Sequence, residues 1–388
     1  MSRPLPQRHG LLAVALACAT LATPARAHAT PRAGAVVTGH LCAGCLEQVV
    51  ADSLDSPVAM AVSGDDRVFV CEQGGALRVV KRGRLLARPF VRVPVVATMD
   101  QGLVGVALHP RFPRVPYVYV VYTAARPGRH NRVVRFTASG DTALAHASLT
   151  LLELDPLAAP VHVGGALCFG PDGMLYVGTG DNGDPPQSQD LARTGGKVLR
   201  IAPDGAIPAD DPFARRGRGA ARATWARGLR NAFSMSFDRE GVLWVQDPGE
   251  NQWEEVNRVG RGGNYGWPVA EGPAHTPGLD DPRFAYDHGS GCCVTGGVRY
   301  EPAGTGLGAE WRDRYLYADL CAAELRWFDP ADPARHGRIG PTLGAGPVAL
   351  AAAADGSLYY LVRGTANPVG GEHSSRGALV RAWRPIPP

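Results

Sequence analysis

One strand-turn-strand unit recurs six times along this chain, and no other feature constrains its fold as strongly. In each copy a short apolar strand follows an acidic or glycine turn, and a second strand ends on a basic and an aliphatic residue. Asp65-Asp66-Arg67-Val68-Phe69-Val70 leads to Ala76-Leu77-Arg78-Val79-Val80, and Tyr117-Val118-Tyr119-Val120-Val121-Tyr122 leads to Val133-Val134-Arg135-Phe136. The third copy runs from Pro160 to Ile201, and the fourth joins Val242-Leu243-Trp244-Val245 to Glu255-Val256-Asn257-Arg258-Val259. The fifth joins Tyr315-Leu316-Tyr317-Ala318 to Glu324-Leu325-Arg326-Trp327-Phe328, and the sixth joins Leu358-Tyr359-Tyr360-Leu361 to Ala378-Leu379-Val380-Arg381-Ala382. A unit this small cannot bury its apolar faces alone, so six copies predict an all-β, six-bladed β-propeller. Forty-nine glycines, 33 prolines and few segments of helical period agree with that. The copies are unevenly spaced, which predicts long inter-strand loops crowded on one face around the central channel, where function is expected. All-β architectures often run long as one unit, so residues 55–388 are read as a single propeller domain and 28–54 as an N-terminal lead-in.

Ahead of these lies a leader. Arg3 and Arg8 precede the apolar run from Leu11 to Thr23, and Ala25-Arg26-Ala27 closes it with a small-x-small pattern. The run is too short to span a bilayer, so residues 1–27 are read as a cleavable signal peptide, with a periplasmic or secreted mature chain starting near His28. Removing three arginines and no acids takes the formal charge from +4 to +1. No strong electrostatic pull on nucleic acid or on a membrane remains, and no other apolar run is long enough for a membrane helix.

Chemistry concentrates in the third copy. Ala166–Phe169 and Met174–Gly178 read as a hairpin turned by Gly170-Pro171-Asp172-Gly173, with His162 before its first strand and Asp181 after its second. Antiparallel pairing brings those ends together, so a carboxylate is expected to hold one imidazole nitrogen and raise the basicity of the other, as a general base requires. Arg230 supplies a planar cation suited to an anionic or quinone oxygen, and Asn231 supplies both a donor and an acceptor. The loops that follow, Asp247-Pro248-Gly249-Glu250-Asn251-Gln252-Trp253-Glu254-Glu255 and Gly262-Gly263-Asn264-Tyr265-Gly266-Trp267-Pro268, offer carboxylates and free carbonyls, the hard ligands that Ca²⁺ prefers.

These segments resemble the soluble glucose/sorbosone dehydrogenases, a family that includes periplasmic aldose sugar dehydrogenases and uses pyrroloquinoline quinone (PQQ) with calcium. The resemblance rests on Gly102-Leu103-Val104-Gly105-Val106-Ala107-Leu108-His109-Pro110, on His162 with Gly164-Gly165, and on Phe169-Gly170-Pro171-Asp172-Gly173 through Gly180-Asp181. Gly228-x-Arg230-Asn231, Asn264-Tyr265-Gly266-Trp267-Pro268 and Val294-Thr295-Gly296-Gly297 complete it in family order. It implies a six-bladed propeller, in agreement with the repeats. It also implies that His162 takes the proton from a sugar's anomeric hydroxyl while hydride passes to the quinone, that Asp181 orients His162, and that Arg230 and Asn231 contact the quinone oxygens. By the same resemblance the carbonyls of Gly249 and Glu250 hold the cofactor's calcium, and Glu255, Tyr265 and Glu271 hold a further calcium, Glu271 through its carboxylate and the other two through carbonyls. The electron acceptor is not encoded in any motif.

Several positions depart from the family pattern. Asp100 stands where the family usually has Gln or Glu among the cofactor contacts, with Gln101 beside it. A lysine that pairs with the cofactor's carboxylates in the glucose-oxidising branch is replaced by Cys321, and the run Gly346-Pro347-Val348-Ala349-Leu350-Ala351 lacks that branch's two arginines. A tricarboxylate needs positive charge when buried, and Arg299, Arg326 and Arg363 are the candidate substitutes.

Seven cysteines remain once Cys18 leaves with the leader. Cys42-Ala43-Gly44-Cys45 lacks the following histidine of a haem attachment site, since Leu46 stands there, and it has no second pair for zinc. A local disulfide, or a bridge from one of the two to Cys71, is expected, and Cys168 reads as a buried free thiol. The family resemblance implies a Cys292–Cys321 disulfide, with Cys293 as a competitor.

Three functional readings follow. The first is a quinoprotein oxidising an aldose or similar alcohol. The second is a non-catalytic propeller that binds carbohydrate or protein, and the third a calcium-dependent lactone hydrolase. The hydrolase requires carboxylates converging on the channel, whereas the dehydrogenase requires His162 and Arg230 to face one another across it.

Overall fold

A computed structural model of the chain describes residues 31–304, 306–364 and 373–385, so the predicted signal peptide lies outside the described residues. Six antiparallel sheets form the molecule, and the middle pair of strands in each coincides with one of the six sequence units. Their innermost strands are Pro57–Val62, Leu103–Leu108, Leu167–Phe169, Ser234–Phe237, Val294–Arg299 and Pro347–Ala352. Each of these contacts the next, and Pro347–Ala352 meets Pro57–Val62 to close the ring. The middle strands are sandwiched between neighbouring blades. Leu175–Gly178 and Tyr315–Asp319 are accordingly buried at every position, which is why their sequences read as unbroken apolar runs rather than alternating ones. Aromatic rings fill the seam between the fourth and fifth blades, where Phe284 stacks on Phe328 with centroids 4.5 Å apart and Trp244 lies 4.8 Å from Tyr315. Among the described residues the helical content is three short 3₁₀ turns.

Both ends of the chain build the sixth blade. Its strand order is Val36–Thr38, Leu46–Leu54, Gly377–Trp383, Leu358–Val362, Pro347–Ala352, with Val49 opposite Val380. The stretch 28–54, read from sequence as a lead-in ahead of the propeller, thus contributes two strands to it. The repeat pattern did not reveal this because the pairing partner lies at the other end of the chain. Joining first and last strands in one sheet closes the ring without leaving an open seam.

Of the cysteine alternatives, the local bridge Cys42–Cys45 is the one formed, and Cys292–Cys321 is also bonded; Cys71, Cys168 and Cys293 are free.

Candidate active site

The hairpin of the third unit pairs as its sequence predicts, Leu167 opposite Val177 and Phe169 opposite Leu175. Its open end faces one mouth of the channel. There His162 Nδ1 lies 2.8 Å from Asp181 Oδ1, so nineteen residues of sequence are bridged by one contact. Close approach of the two loops demands glycine at 180, where a Cβ would stand 1.9 Å from the carbonyl oxygen of His162. His162 itself adopts φ 49°, an unusual conformation for a residue with a side chain, and its backbone N–H is held at 2.7 Å by Asp100 Oδ2.

Asp181 is buried, with 1% of its side chain exposed. Burial alone would push its carboxyl up. The His162 ring, the Gly183 N–H and the Trp267 indole N–H outweigh that and hold it below the ordinary carboxylate value. Gly183 N donates to Oδ1 at 2.9 Å and Trp267 Nε1 to Oδ2 at 2.8 Å.

On the other side of the imidazole, Arg230 Nη2 lies 3.0 Å from His162 Nε2. An arginine N–H can only donate. Nε2 therefore presents its lone pair and the ring proton sits on Nδ1 facing Asp181, so the hydrogen bonds assign a neutral imidazole of one tautomer. Arg230 Nη1 donates to the Pro248 carbonyl at 3.0 Å, its guanidinium lies 5.6 Å from the Trp267 ring centroid, and its Nε is buried without a partner among the described residues. The backbone N–H groups of Arg230 and Asn231 are both anchored by Asp247, a buried carboxylate whose pKa is raised by desolvation and which the sequence offered only as part of an acid-rich, calcium-suited loop.

A cavity of about 510 Å³ opens beside this cluster and runs into the channel. Asp100, His162, Arg230, Asn231, Gly249 and Glu250 all line it, as does Arg363. Asn231 is partly committed, because its Oδ1 accepts the Gly164 N–H at 3.0 Å and so leaves only its NH₂ for a ligand. Gln101 is fully buried outside the cavity wall, with Nε2 3.3 Å from the Ala159 carbonyl. Arg326 is paired with Glu324 and turned to the Ser290 carbonyl, and neither it nor Arg299 lines the cavity. His288 does line it, and no motif pointed there. The only carboxylates on the wall among the described residues are Asp100 and Glu250, while His162 and Arg230 are in direct contact.

Gly249 and Glu250 line a cavity edged by Arg230, and their carbonyls accept no hydrogen bond among the described residues, which fits a cation bound together with an anionic cofactor. In the second expected calcium set the side-chain oxygens are engaged with backbone groups, which leaves Glu255 and Tyr265 only their carbonyls to offer. Tyr265 Oη takes the Gly260 N–H and donates to the Arg258 carbonyl, both at 2.8 Å. Glu255 Oε1 accepts the Gly272 N–H at 2.6 Å, and Glu271 Oε1 collects the N–H groups of Glu250, Asn251, Gln252 and Trp253 at 2.9–3.2 Å. No group of three or more His, Cys, Asp or Glu able to hold a metal occurs among the described residues.

The chain is 30% identical over 255 residues to the aldose sugar dehydrogenase YliI of Escherichia coli, a match covering 64% of this chain and 67% of that one. It is 29% identical over 270 residues to quinoprotein glucose dehydrogenase B of Acinetobacter calcoaceticus, covering 62% and 55% respectively, so the chain spans between about half and two thirds of these relatives. The PQQ-bound aldose sugar dehydrogenase of Streptomyces coelicolor superposes with a TM-score of 0.69 at 27% identity, over 91% of this chain and 100% of that one. The family model for glucose / sorbosone dehydrogenase matches residues 54–367, and the chain belongs to that family.

Proposed function

We propose that this protein oxidises an aldose or related alcohol with PQQ and calcium bound in the channel. The observation that carries the reading is the continuous line Asp181–His162–Arg230 across the channel mouth, with contacts of 2.8 and 3.0 Å. Bound there, the quinone supplies the acceptor for a hydride from the sugar's anomeric carbon. His162 Nε2, which carries the ring's lone pair in the tautomer that Asp181 fixes, would take the anomeric hydroxyl proton once Arg230 turns from it to the cofactor, and the products are a lactone and the reduced cofactor. Asp181 balances the imidazolium that results, because its carboxylate is already held ionised by three donors. Arg230, whose backbone is anchored by Asp247 and whose guanidinium is held beside His162 by the Pro248 carbonyl, would offer its cation to oxygen that gains negative charge as hydride arrives. Gly249 and Glu250 would hold calcium through their carbonyls. The near absence of wall carboxylates argues against the lactone hydrolase reading.

A compartment outside the cytoplasm is supported by two disulfides, and no helix among the described residues is long and apolar enough to cross a membrane. Electrons leave to an acceptor that is not specified by any residue discussed. The test is to add PQQ and excess Ca²⁺ to the purified chain and follow dye reduction with a panel of aldoses. Activity that requires both additions supports the reading, and inactivity with every sugar despite tight cofactor binding contradicts it.

A further inference from the structure

The cofactor of the proposed reaction is a tricarboxylate, yet Cys321 is locked in a disulfide and residues 346–351 carry no cation. Two other groups on the cavity wall carry or can acquire positive charge without a role in proton transfer. Arg363, at the exit of the innermost pair of the sixth blade, is 7% exposed and lines the cavity. Its backbone N–H is tied to the Gly346 carbonyl at 2.8 Å, and its Nη2 donates to Gln73 Oε1. Gln73 cannot turn away, because its own NH₂ donates to the carbonyls of Met99 and Gln101 at 2.6 and 2.9 Å. The guanidinium is thus aimed by a neutral amide. It forms no ion pair among the described residues, and its Nε is buried without a partner. Burial penalises this cation, and only the fields of Asp100 and Asp55, neither in ion-pair contact, offset it, so an anion joining it in the cavity is favoured.

His288 lies between the fourth and fifth blades, on another side of the same cavity. Its backbone N–H is held by the Gln252 carbonyl at 3.1 Å, and Nε2 stands 3.0 Å from Oε1 of Glu254, a carboxylate with no exposed surface. Glu254 is fixed in turn by the Val294 N–H at 2.8 Å. A buried carboxylate behind one ring nitrogen favours the imidazolium, and Glu254 does raise the His288 pKa. Nε2 meets Glu254 as a charge contact rather than an aligned hydrogen bond, and Nδ1 has no partner among the described residues.

We propose that His288 and Arg363 bind the carboxylates of the channel's polycarboxylate cofactor, in place of the cations missing from 321 and 346–351. This rests on the cofactor reading above and assigns residues that the family motifs do not contain. With Arg230 they form three cationic points spread around one cavity, a pattern that suits a planar, multiply anionic ligand lying across the channel.

The experiment is calorimetric titration of the apo protein, in saturating Ca²⁺, with PQQ and separately with its trimethyl ester. His288→Gln and Arg363→Gln should each weaken PQQ binding about tenfold or more, the loss expected for a charge-assisted contact. Neither should change ester binding by more than about twofold, and Arg363→Lys should recover most of the lost affinity. Equal loss for acid and ester, or variants that bind PQQ as tightly as the parent, would overturn the assignment while leaving the dehydrogenase reading intact. A parent protein that binds no PQQ overturns both. Thermal melts check folding; if Arg363→Gln does not fold, His288→Gln and Arg363→Lys decide.

Discussion

The indole nitrogen of Trp267 stands 2.8 Å from Asp181 Oδ2, while the ring of the same residue lies 5.6 Å from the Arg230 guanidinium. One side chain therefore supports both partners of His162. Trp267→Phe keeps an aromatic platform and removes the donor, so turnover should fall roughly threefold to tenfold with KM nearly unchanged, in line with the loss of one neutral donor to a carboxylate. Trp267→Ala loses both and should fall further. Steady-state kinetics of the two variants with PQQ, Ca²⁺ and the best aldose check this; equal effects would mean that the indole N–H is idle.

Asp181→Asn preserves shape and abolishes the tautomer control. Turnover should drop by about 10²–10⁴, the usual worth of a well-placed base. The same carboxylate also links stability to pH. Its folded-state pKa lies below the ordinary 3.8, so its ionised form contributes stability that is fully present above that value and lost as pH falls through the lower folded one. Urea melts of parent and Asn variant should therefore differ most at neutral pH and converge below about pH 4.

Asp100 is expected to act through His162 rather than on the cofactor directly, since its Oδ2 holds the His162 N–H in a left-handed conformation. Asp100→Asn retains an acceptor and should keep most activity. Asp100→Ala frees the loop and should lower turnover about tenfold, the scale of a mispositioned catalytic group. Matching losses in the two variants, seen in kcat, would instead point to the negative charge.

Lys197 is fully buried and donates to the carbonyls of Gln187, Ser188 and Gly195 at 2.7, 3.1 and 2.6 Å. Those three carbonyls belong to the loop whose Gln187 side chain donates to the Asp181 carbonyl. The Gln187 and Ser188 carbonyls also accept the Asp190 and Gly228 N–H groups, so Lys197→Met leaves the Gly195 carbonyl without a donor and should destabilise the fold by about 1–3 kcal/mol in denaturant melts.

How much of this could be read from sequence depends on the range of the interactions involved. The six units were legible because each middle strand pair is local and buried on both faces, as at Leu175–Gly178. His162 and Asp181 were legible together because a hairpin with an evident turn fixes their separation. Strand Leu46–Leu54 was not, since nothing near it encodes pairing with Gly377–Trp383. Trp267 appeared in a motif without a role, because its loop reaches Asp181 across 86 residues. His288 carries no local signature, and Asp247 stood out only as one acid of a loop: the first gains significance from Glu254 behind it, the second from two backbone amides that only the folded blade presents. Glu255, Tyr265 and Glu271 illustrate the reverse, residues named by position whose side-chain oxygens the fold spends on backbone groups.

The central claim is that His162 takes a proton as an aldose is oxidised in this channel. Anaerobic stopped-flow mixing of the PQQ- and Ca²⁺-loaded protein with an aldose, read at the cofactor's absorbance, tests it without any external acceptor. Saturable reduction of the bound quinone is expected, slowed about 10²–10⁴-fold in a His162→Ala protein that binds the cofactor equally well. Reduction at the same rate in that variant, or none in the parent with any aldose, would contradict it.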